Sequence, residues 1–196
     1  MILRVYLSNT QEIDVDTLLK SKYISSLEEP CFAKYKSIEV KKEKIMSTIF
    51  KNKYIGEYHL SEFGKPISDS KYFNISHSHG YVCFIMSDSP IGIDIEKIRD
   101  VKEDMINYIS SAEERKYIHD NESFYEIWTN KEALVKAIGT GIKARPNNIV
   151  GLPINGIREY ENKSYFNKTI KVDDFIISVS KEGRDDYDLE IINEVI

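Results

Sequence analysis

The chain has 196 residues, enough for one full domain or two small ones, and 41% of them are hydrophobic, so a buried core can form. A charged fraction of 30% with mixed signs argues against a disordered tail, and a formal net charge of −5 argues against a general polyanion binder. The two cysteines, Cys31 and Cys83, stand in no CxxC or Cys/His metal spacing. With no secretory leader pattern and no apolar run long enough to span a bilayer, they read as reduced thiols of a cytoplasmic protein.

Residues 2–7 (ILRVYL) predict an opening strand. Apolar positions Tyr35, Ile38, Ile45, Met46 and Ile49 recur at helical spacing and predict a helix over about 32–52. Strands are expected at 73–77 and 81–87, joined as a hairpin by a Ser78-His79-Gly80 turn, and at 91–96 after Pro90. Ser110 and Ser111, each with a glutamate three residues on, mark a helix at about 111–119. Ser123 with Glu126 opens another that runs to Ile138 and stops at Gly139. The last third alternates like strands at 149–152, 156–161, 174–180 and 187–192. A weak echo, F-x-I-S-x-S, occurs at 73–78 and again at 175–180, by chance or by duplication of a half-domain.

Four groups could carry chemistry. In Ile91-Gly92-Ile93-Asp94-Ile95-Glu96 the isoleucines share one strand face, and Asp94 and Glu96 share the other. Adjacent carboxylates repel, and a bound magnesium or manganese ion removes that cost; a solvated acidic face is the plain alternative. Trp128, Glu132 and Lys136 stack at i, i+4, i+8 on one helix side, either as an exposed ion pair or as a cleft wall with a base and a phosphate clamp. His77 lies between two serines at a strand end, where it is either structural or a hydrogen-bond donor to phosphate. Residues 34–53 hold seven lysines against two glutamates, and Lys42 falls within the apolar arc of that helix, so it either snorkels outward or faces a polyanion in a cleft. The patch lacks the interleaved aromatics of a single-strand binder, so nucleic acid is not expected.

Four stretches in order, Phe63-Gly64-Lys65-Pro66, FNISHS (73–78), IGIDIE (91–96) and WTNKEALVKAIGTG (128–141), resemble the 4′-phosphopantetheinyl transferases, in particular the larger, surfactin-synthetase-activating type. The resemblance covers about 63–141. It implies an α+β fold, a pseudo-dimer of two similar half-domains that each pack a small antiparallel sheet with helices, at 1–90 and 91–196. It also implies transfer of the phosphopantetheine arm of coenzyme A to a serine of an acyl or peptidyl carrier protein, releasing 3′,5′-ADP.

By the same resemblance, Asp94, Glu96 and Glu132 would hold Mg²⁺, with Mn²⁺ an alternative. Lys136 and His77 would meet the coenzyme A phosphates near Ser76. Gly64, Lys65 and Pro66 would lie along the adenine. Glu132 would be the general base, assisted by Lys131, in a cytoplasmic monomer that needs neither membrane nor nucleic acid. One departure stands out. The family's usual 3′-phosphate-gripping arginine is replaced by Glu43, with Lys42 as first candidate substitute and Lys44 as second. A coenzyme A-binding or carrier-docking pseudoenzyme and a magnesium-dependent phosphohydrolase are the competing readings.

Overall fold

Period-two alternation builds most of the fold, because each strand has one face to bury against a second sheet and one against a helix. The computed structural model describes residues 1–139 and 146–195. Its elements run β1 (Ile2–Asn9), α1 (Val15–Leu19), α2 (Ile38–Tyr54), β2 (His59–Leu60), β3 (Pro66–Ile67), β4 (Tyr72–Ser78), β5 (Tyr81–Ser87) and β6 (Ile91–Lys97). They continue through α3 (Glu103–Ile109), α4 (Ala112–Tyr117), α5 (Asn121–Ile138), β7 (Gly156–Tyr160), β8 (Lys163–Val172), β9 (Phe175–Glu182) and β10 (Asp188–Asn193). The fold is α+β, as expected.

Two four-stranded sheets, ordered β10-β1-β5-β4 and β6-β9-β8-β7, lie face to face. Leu3, Val5 and Leu7 of β1 and Cys83 and Ile85 of β5 interleave with Ile91, Ile93 and Ile95 of β6 and with Phe175, Ile177 and Val179 of β9. Helix α2 covers the outer face of the first sheet through Ile45, Met46, Ile49 and Phe50, against Phe73, Val82 and Phe84. Helix α5 covers the outer face of the second. Gly92 lets it approach, since a Cβ there would stand 2.0 Å from the Ala133 carbonyl oxygen.

Each half runs strand, long helix, hairpin, with the hairpin's second strand placed between the other two: β1-β5-β4 and β6-β9-β8. In that correspondence β4 matches β8, whereas the F-x-I-S-x-S echo links β4 with β9. The echo therefore falls on strands with different places in the fold, and chance accounts for it. β10, from the C-terminal half by sequence, pairs in parallel with β1 and joins the first sheet, where Leu189 and Ile191 reach the shared core.

The predicted hairpin is present. Its turn residues His79 and Gly80 both have positive φ, 48° and 77°, the backbone twist a two-residue hairpin turn needs. Helix α2 starts later than periodicity predicts, because Ser37 caps it by accepting from Val40 N, and residues Glu29–Phe32 form a separate 3₁₀ turn. Ser111 with Glu114 forms the expected capping box of α4, while Ser110 ends α3. For α5 the cap is Asp120, with Ser123 as its reciprocal partner, so the helix begins before the Ser123–Glu126 pair. Gly139 ends it in the left-handed conformation, φ 83°, as expected.

Residues 149–152 are not a strand. Their backbone groups serve side chains instead: the Val150 carbonyl accepts from Arg158, and Gly151 N donates to Glu114 Oε1. Strand β8, absent from the sequence expectation, carries lysines at 163, 168 and 171 that fall on both faces and dilute its apolar pattern.

Candidate active site

The site forms where two sheet edges meet. β4 and β6 lie side by side without a backbone ladder, and β4 side chains bridge the gap. Asn74 Oδ1 accepts from Ile93 N at 3.0 Å, Ser76 Oγ donates to Asp94 Oδ1 at 2.8 Å, and Ser78 Oγ donates to Glu96 Oε2 at 2.8 Å. Edge strands leave backbone groups unpaired, and Asn74 and Ser78 meet that need at Ile93 N and Lys97 N.

Asp94 and Glu96 face α5, on the side of β6 opposite the buried isoleucines. Lys136 of α5 closes the seam: its Nζ donates to Asp94 Oδ1 at 2.6 Å and to Ser76 Oγ at 2.8 Å. Burial, the largest single influence, acts to lower the Lys136 ammonium, but the charge and hydrogen bond of Asp94, with Glu132 and Cys83 nearby, together hold the group above its ordinary value. Glu132, one turn earlier on the same helix face, is pushed up to about 7 by burial, then by Asp94, with Lys136 opposing. Glu96 is raised for the same reasons, burial first and then the Asp94 charge.

Asp94 Oδ2 is buried and accepts no hydrogen bond among the described residues. An orphaned carboxylate oxygen beside two carboxylates that are hard to ionise is a donor set suited to a hard divalent cation, magnesium or manganese. The three carboxylates do not converge on one point. Among the described residues, no cluster of three or more His, Cys, Asp or Glu side chains is gathered closely enough to hold a metal ion.

His77 follows Ser76 on β4 and so points the opposite way, toward α2. Its Nδ1 lies 3.0 Å from Glu43 Oε2, and its Nε2 lies 2.9 Å from Lys44 Nζ. It lines a second cavity, of about 440 Å³, together with Lys34, Lys44, Lys51, Tyr35, Tyr58 and Pro66. The structure thus groups Ser76, Asp94, Glu96, Glu132 and Lys136 on one side of β4, and His77 with Lys44 on the other.

Other expected residues divide in the same way. Gly64 and Lys65 belong to the tight loop between β2 and β3, and Pro66 opens β3. Lys65 donates to the Lys136 carbonyl at the C-terminus of α5, a favourable place for a cation, and burial lowers its amine to about 8. Lys42 does not face a cleft. It snorkels out to the Gln11 carbonyl at 3.2 Å, and its neighbour Glu43 takes the buried place.

Lys131 is not at the seam either. It is buried on another side of α5, where it donates to Glu114 Oε2 at 2.6 Å and to the Ile109 and Pro146 carbonyls. One residue per helical position turns the direction by about 100°, so Lys131 and Glu132 cannot share a wall. Of the motif at 128–141, Thr140 and Gly141 lie outside the described residues. The parts played by Asn74 and Ser78 were not foreseen; the polar alternation 74, 76, 78 along β4 is the signal that marks them.

The fold and the seam define an α+β protein in which one strand edge, its neighbour's hydroxyls and a covering helix assemble a carboxylate–lysine site. The profile of the 4′-phosphopantetheinyl transferase superfamily matches residues 90–191. The chain is 30% identical over 169 residues to the 4′-phosphopantetheinyl transferase gsp of Aneurinibacillus migulanus, covering 72% of this chain and 68% of that protein. It is 33% identical over 94 residues to the 4′-phosphopantetheinyl transferase Sfp of Bacillus subtilis (strain 168), covering 43% of this chain and 42% of the relative. The match to the solved Thermotoga maritima holo-[acyl-carrier-protein] synthase has a TM-score of 0.37 at 17% identity, over 50% of this chain and 64% of that one. This chain belongs to the 4′-phosphopantetheinyl transferase superfamily.

Proposed function

We propose that this chain transfers the 4′-phosphopantetheine arm of coenzyme A to a serine of an apo carrier protein, with release of 3′,5′-ADP. The observation that carries the reading is the convergence of Asp94 and Lys136 with Ser76 at the β4–β6 seam, with Glu132 one turn away on α5. The family membership supports the reaction class.

In this reading the carrier serine Oγ attacks the β-phosphorus of the pyrophosphate, and the bond to the bridging oxygen breaks with its electron pair leaving on 3′,5′-ADP. Glu132 takes the serine proton. As a carboxylate it can accept that proton within hydrogen-bond reach of the incoming hydroxyl. Lys136, already aimed into the seam by Asp94, neutralises charge that develops on the leaving phosphate. Asp94, Glu96 and Glu132 are the residues that would hold Mg²⁺, or Mn²⁺, which when bound supplies charge neutralisation at the pyrophosphate.

A groove of about 820 Å³ lined by Met105, Tyr108, Phe124 and Trp128 opens beside Glu96, and the acceptor would approach there. The unit that acts would be a single chain, since β4, β6 and α5 all come from one copy. No helix among the described residues is long and apolar enough to cross a membrane.

The test is incubation with a fluorescent coenzyme A, Mg²⁺ and an apo carrier protein, beside the Glu132→Gln variant. Label on the carrier that Glu132→Gln reduces at least a hundredfold supports the transfer. Free phosphopantetheine would indicate hydrolysis, and binding without either product would indicate a pseudoenzyme.

A further inference from the structure

Two hydroxyls of β4 each claim one oxygen of a β6 carboxylate. Ser76 Oγ donates to Asp94 Oδ1 at 2.8 Å, and the same oxygen takes Lys136 Nζ at 2.6 Å. Ser78 Oγ donates to Glu96 Oε2 at 2.8 Å. In both pairs the second oxygen is left over. Asp94 Oδ2 is buried without a hydrogen bond among the described residues, and Ser78 holds Glu96 through Oε2 alone.

Ser78 is fixed for this contact from several sides. It is buried, and its one hydroxyl hydrogen goes to Glu96, because a carboxylate can only accept. The acceptor side of the same oxygen faces Lys97 N at 3.4 Å and His79 Nδ1 at 3.0 Å. The turn that follows is pinned to the rest of the first half. Gly80 N donates to Glu43 Oε1, the Gly80 carbonyl accepts from Thr10 N and Thr10 Oγ1, and the His79 carbonyl accepts from Gln11 Nε2, each at 2.8 Å. These contacts hold His79 at a φ of 48°, uncommon for a residue with a side chain.

We propose that Ser78 is a positioning residue for cation selection: by keeping Oε2 it leaves Glu96 a single oxygen to give, as Ser76 does for Asp94, so that each β6 carboxylate meets a divalent cation through one oxygen. This deepens the coenzyme A reading and rests on it for the presence of a cation at these carboxylates. Single-oxygen ligands suit magnesium, which demands near-octahedral geometry and keeps several waters. Calcium gathers about six to eight oxygens and gains from carboxylates that give both. The hydroxyl therefore weighs against calcium without touching the ion itself, as outer partners of metal ligands do.

The test is binding of Mn²⁺ alone, followed by electron paramagnetic resonance, with Mg²⁺ or Ca²⁺ added as competitor; it needs neither coenzyme A nor turnover. The quantity read is the ratio of the two competitor affinities. Ser78→Ala frees Glu96 Oε2 and shifts that ratio toward Ca²⁺ roughly tenfold, the lower end of what loss of an outer partner does to a metal site. Ser78→Thr keeps the hydroxyl and restores the wild-type ratio. A merely structural role for Ser78 would weaken both competitors alike and leave the ratio where it was.

An unchanged ratio in Ser78→Ala, a ratio that Ser78→Thr fails to restore, or no Mn²⁺ binding by wild type overturns the proposal. Should Ser78→Ala fail to fold, a crystal structure of the wild-type protein grown with Mn²⁺ decides. The proposal requires one Glu96 oxygen on the ion with Oε2 still held by Ser78, and both Glu96 oxygens on the ion refute it. Absence of carrier labelling with the Ser78-dependent ratio intact removes the transferase reading and leaves Ser78 in its role. Labelling with a ratio indifferent to Ser78→Ala does the reverse.

Discussion

Ser76 Oγ donates to Asp94 Oδ1 at 2.8 Å across two strands that share no backbone ladder, and Lys136 Nζ meets both atoms from the helix above. One hydroxyl from the first sheet, one carboxylate from the second and one ammonium from α5 hold three layers together at the place where the chemistry is proposed. Stability and activity are therefore coupled at this point.

Lys136→Met tests that coupling. It leaves Asp94, 4% exposed, with no cation partner. Removing one member of a buried pair costs up to ~3–5 kcal/mol, and the partial exposure of Lys136 brings the expected loss to about 2–3 kcal/mol. Carrier labelling should fall more than a hundredfold in the fraction that remains folded. Urea denaturation and single-turnover labelling on one preparation separate the two effects.

Gly92→Ala should be among the most damaging small changes. Its Cβ would stand 2.0 Å from the Ala133 carbonyl oxygen and 2.4 Å from Ala137 N, both in the backbone of α5. The helix must lift off β6, at a cost of roughly 3 kcal/mol or more, and carry Glu132 and Lys136 away from Asp94. A fall in Tm of several degrees with loss of labelling is expected. A variant as stable as wild type would show that α5 is not seated on β6 as described.

Glu132 makes stability depend on pH and on divalent cation. Its carboxyl lies at about 7 in the folded chain against an ordinary 4.5, so folding favours the protonated form. The resulting stability is fully present below about 4.5 and is lost as pH rises through about 7. Linkage puts the change at no more than about 3 kcal/mol, and solvent screening brings it nearer ~1 kcal/mol. A cation that binds the ionised carboxylates offsets the loss. Thermal melts should show Mg²⁺ raising Tm by a few degrees at about pH 8 and much less at about pH 5.5, with Glu132→Gln flattening the difference. An equal Mg²⁺ effect at both values would contradict the placement of the cation at this carboxylate.

Lys131 and Lys42 provide the contrasting cases. Lys131 pairs with Glu114 at 2.6 Å, with both side chains almost wholly buried, so Lys131→Met leaves an unpaired carboxylate in the interior. It should destabilise by about 3–5 kcal/mol while leaving the KM for coenzyme A within about twofold in the folded protein. Lys42→Ala removes only an exposed contact to Gln11 and should alter stability by no more than about 0.5 kcal/mol and KM by no more than about twofold.

Much of the site was legible in the chain. Alternation placed Asp94 and Glu96 on one face of a strand and the isoleucines on the other, because side-chain direction in a strand has period two whatever the tertiary context. Helical spacing put Glu132 and Lys136 on one side of α5 for the same kind of local reason. Gly139 as a helix stop and His79-Gly80 as a turn followed from backbone sterics alone.

The remainder depended on what each face meets, and periodicity cannot say which surface lies opposite. Lys42 falls in the apolar arc by helical phase, yet a long flexible stem let it snorkel to solvent while Glu43 found two donors in the hairpin turn. His77 and Ser76 are adjacent in the motif but separated by the thickness of β4, so one faces a basic cavity and the other the carboxylates. Asp94 and Glu96 form an acidic strand face by alternation alone. The sequence by itself determined that they share a side. Only the tertiary structure decided that this side meets Lys136 and the hydroxyls of a neighbouring sheet edge, since non-local packing of two sheet edges under a helix sets that contact.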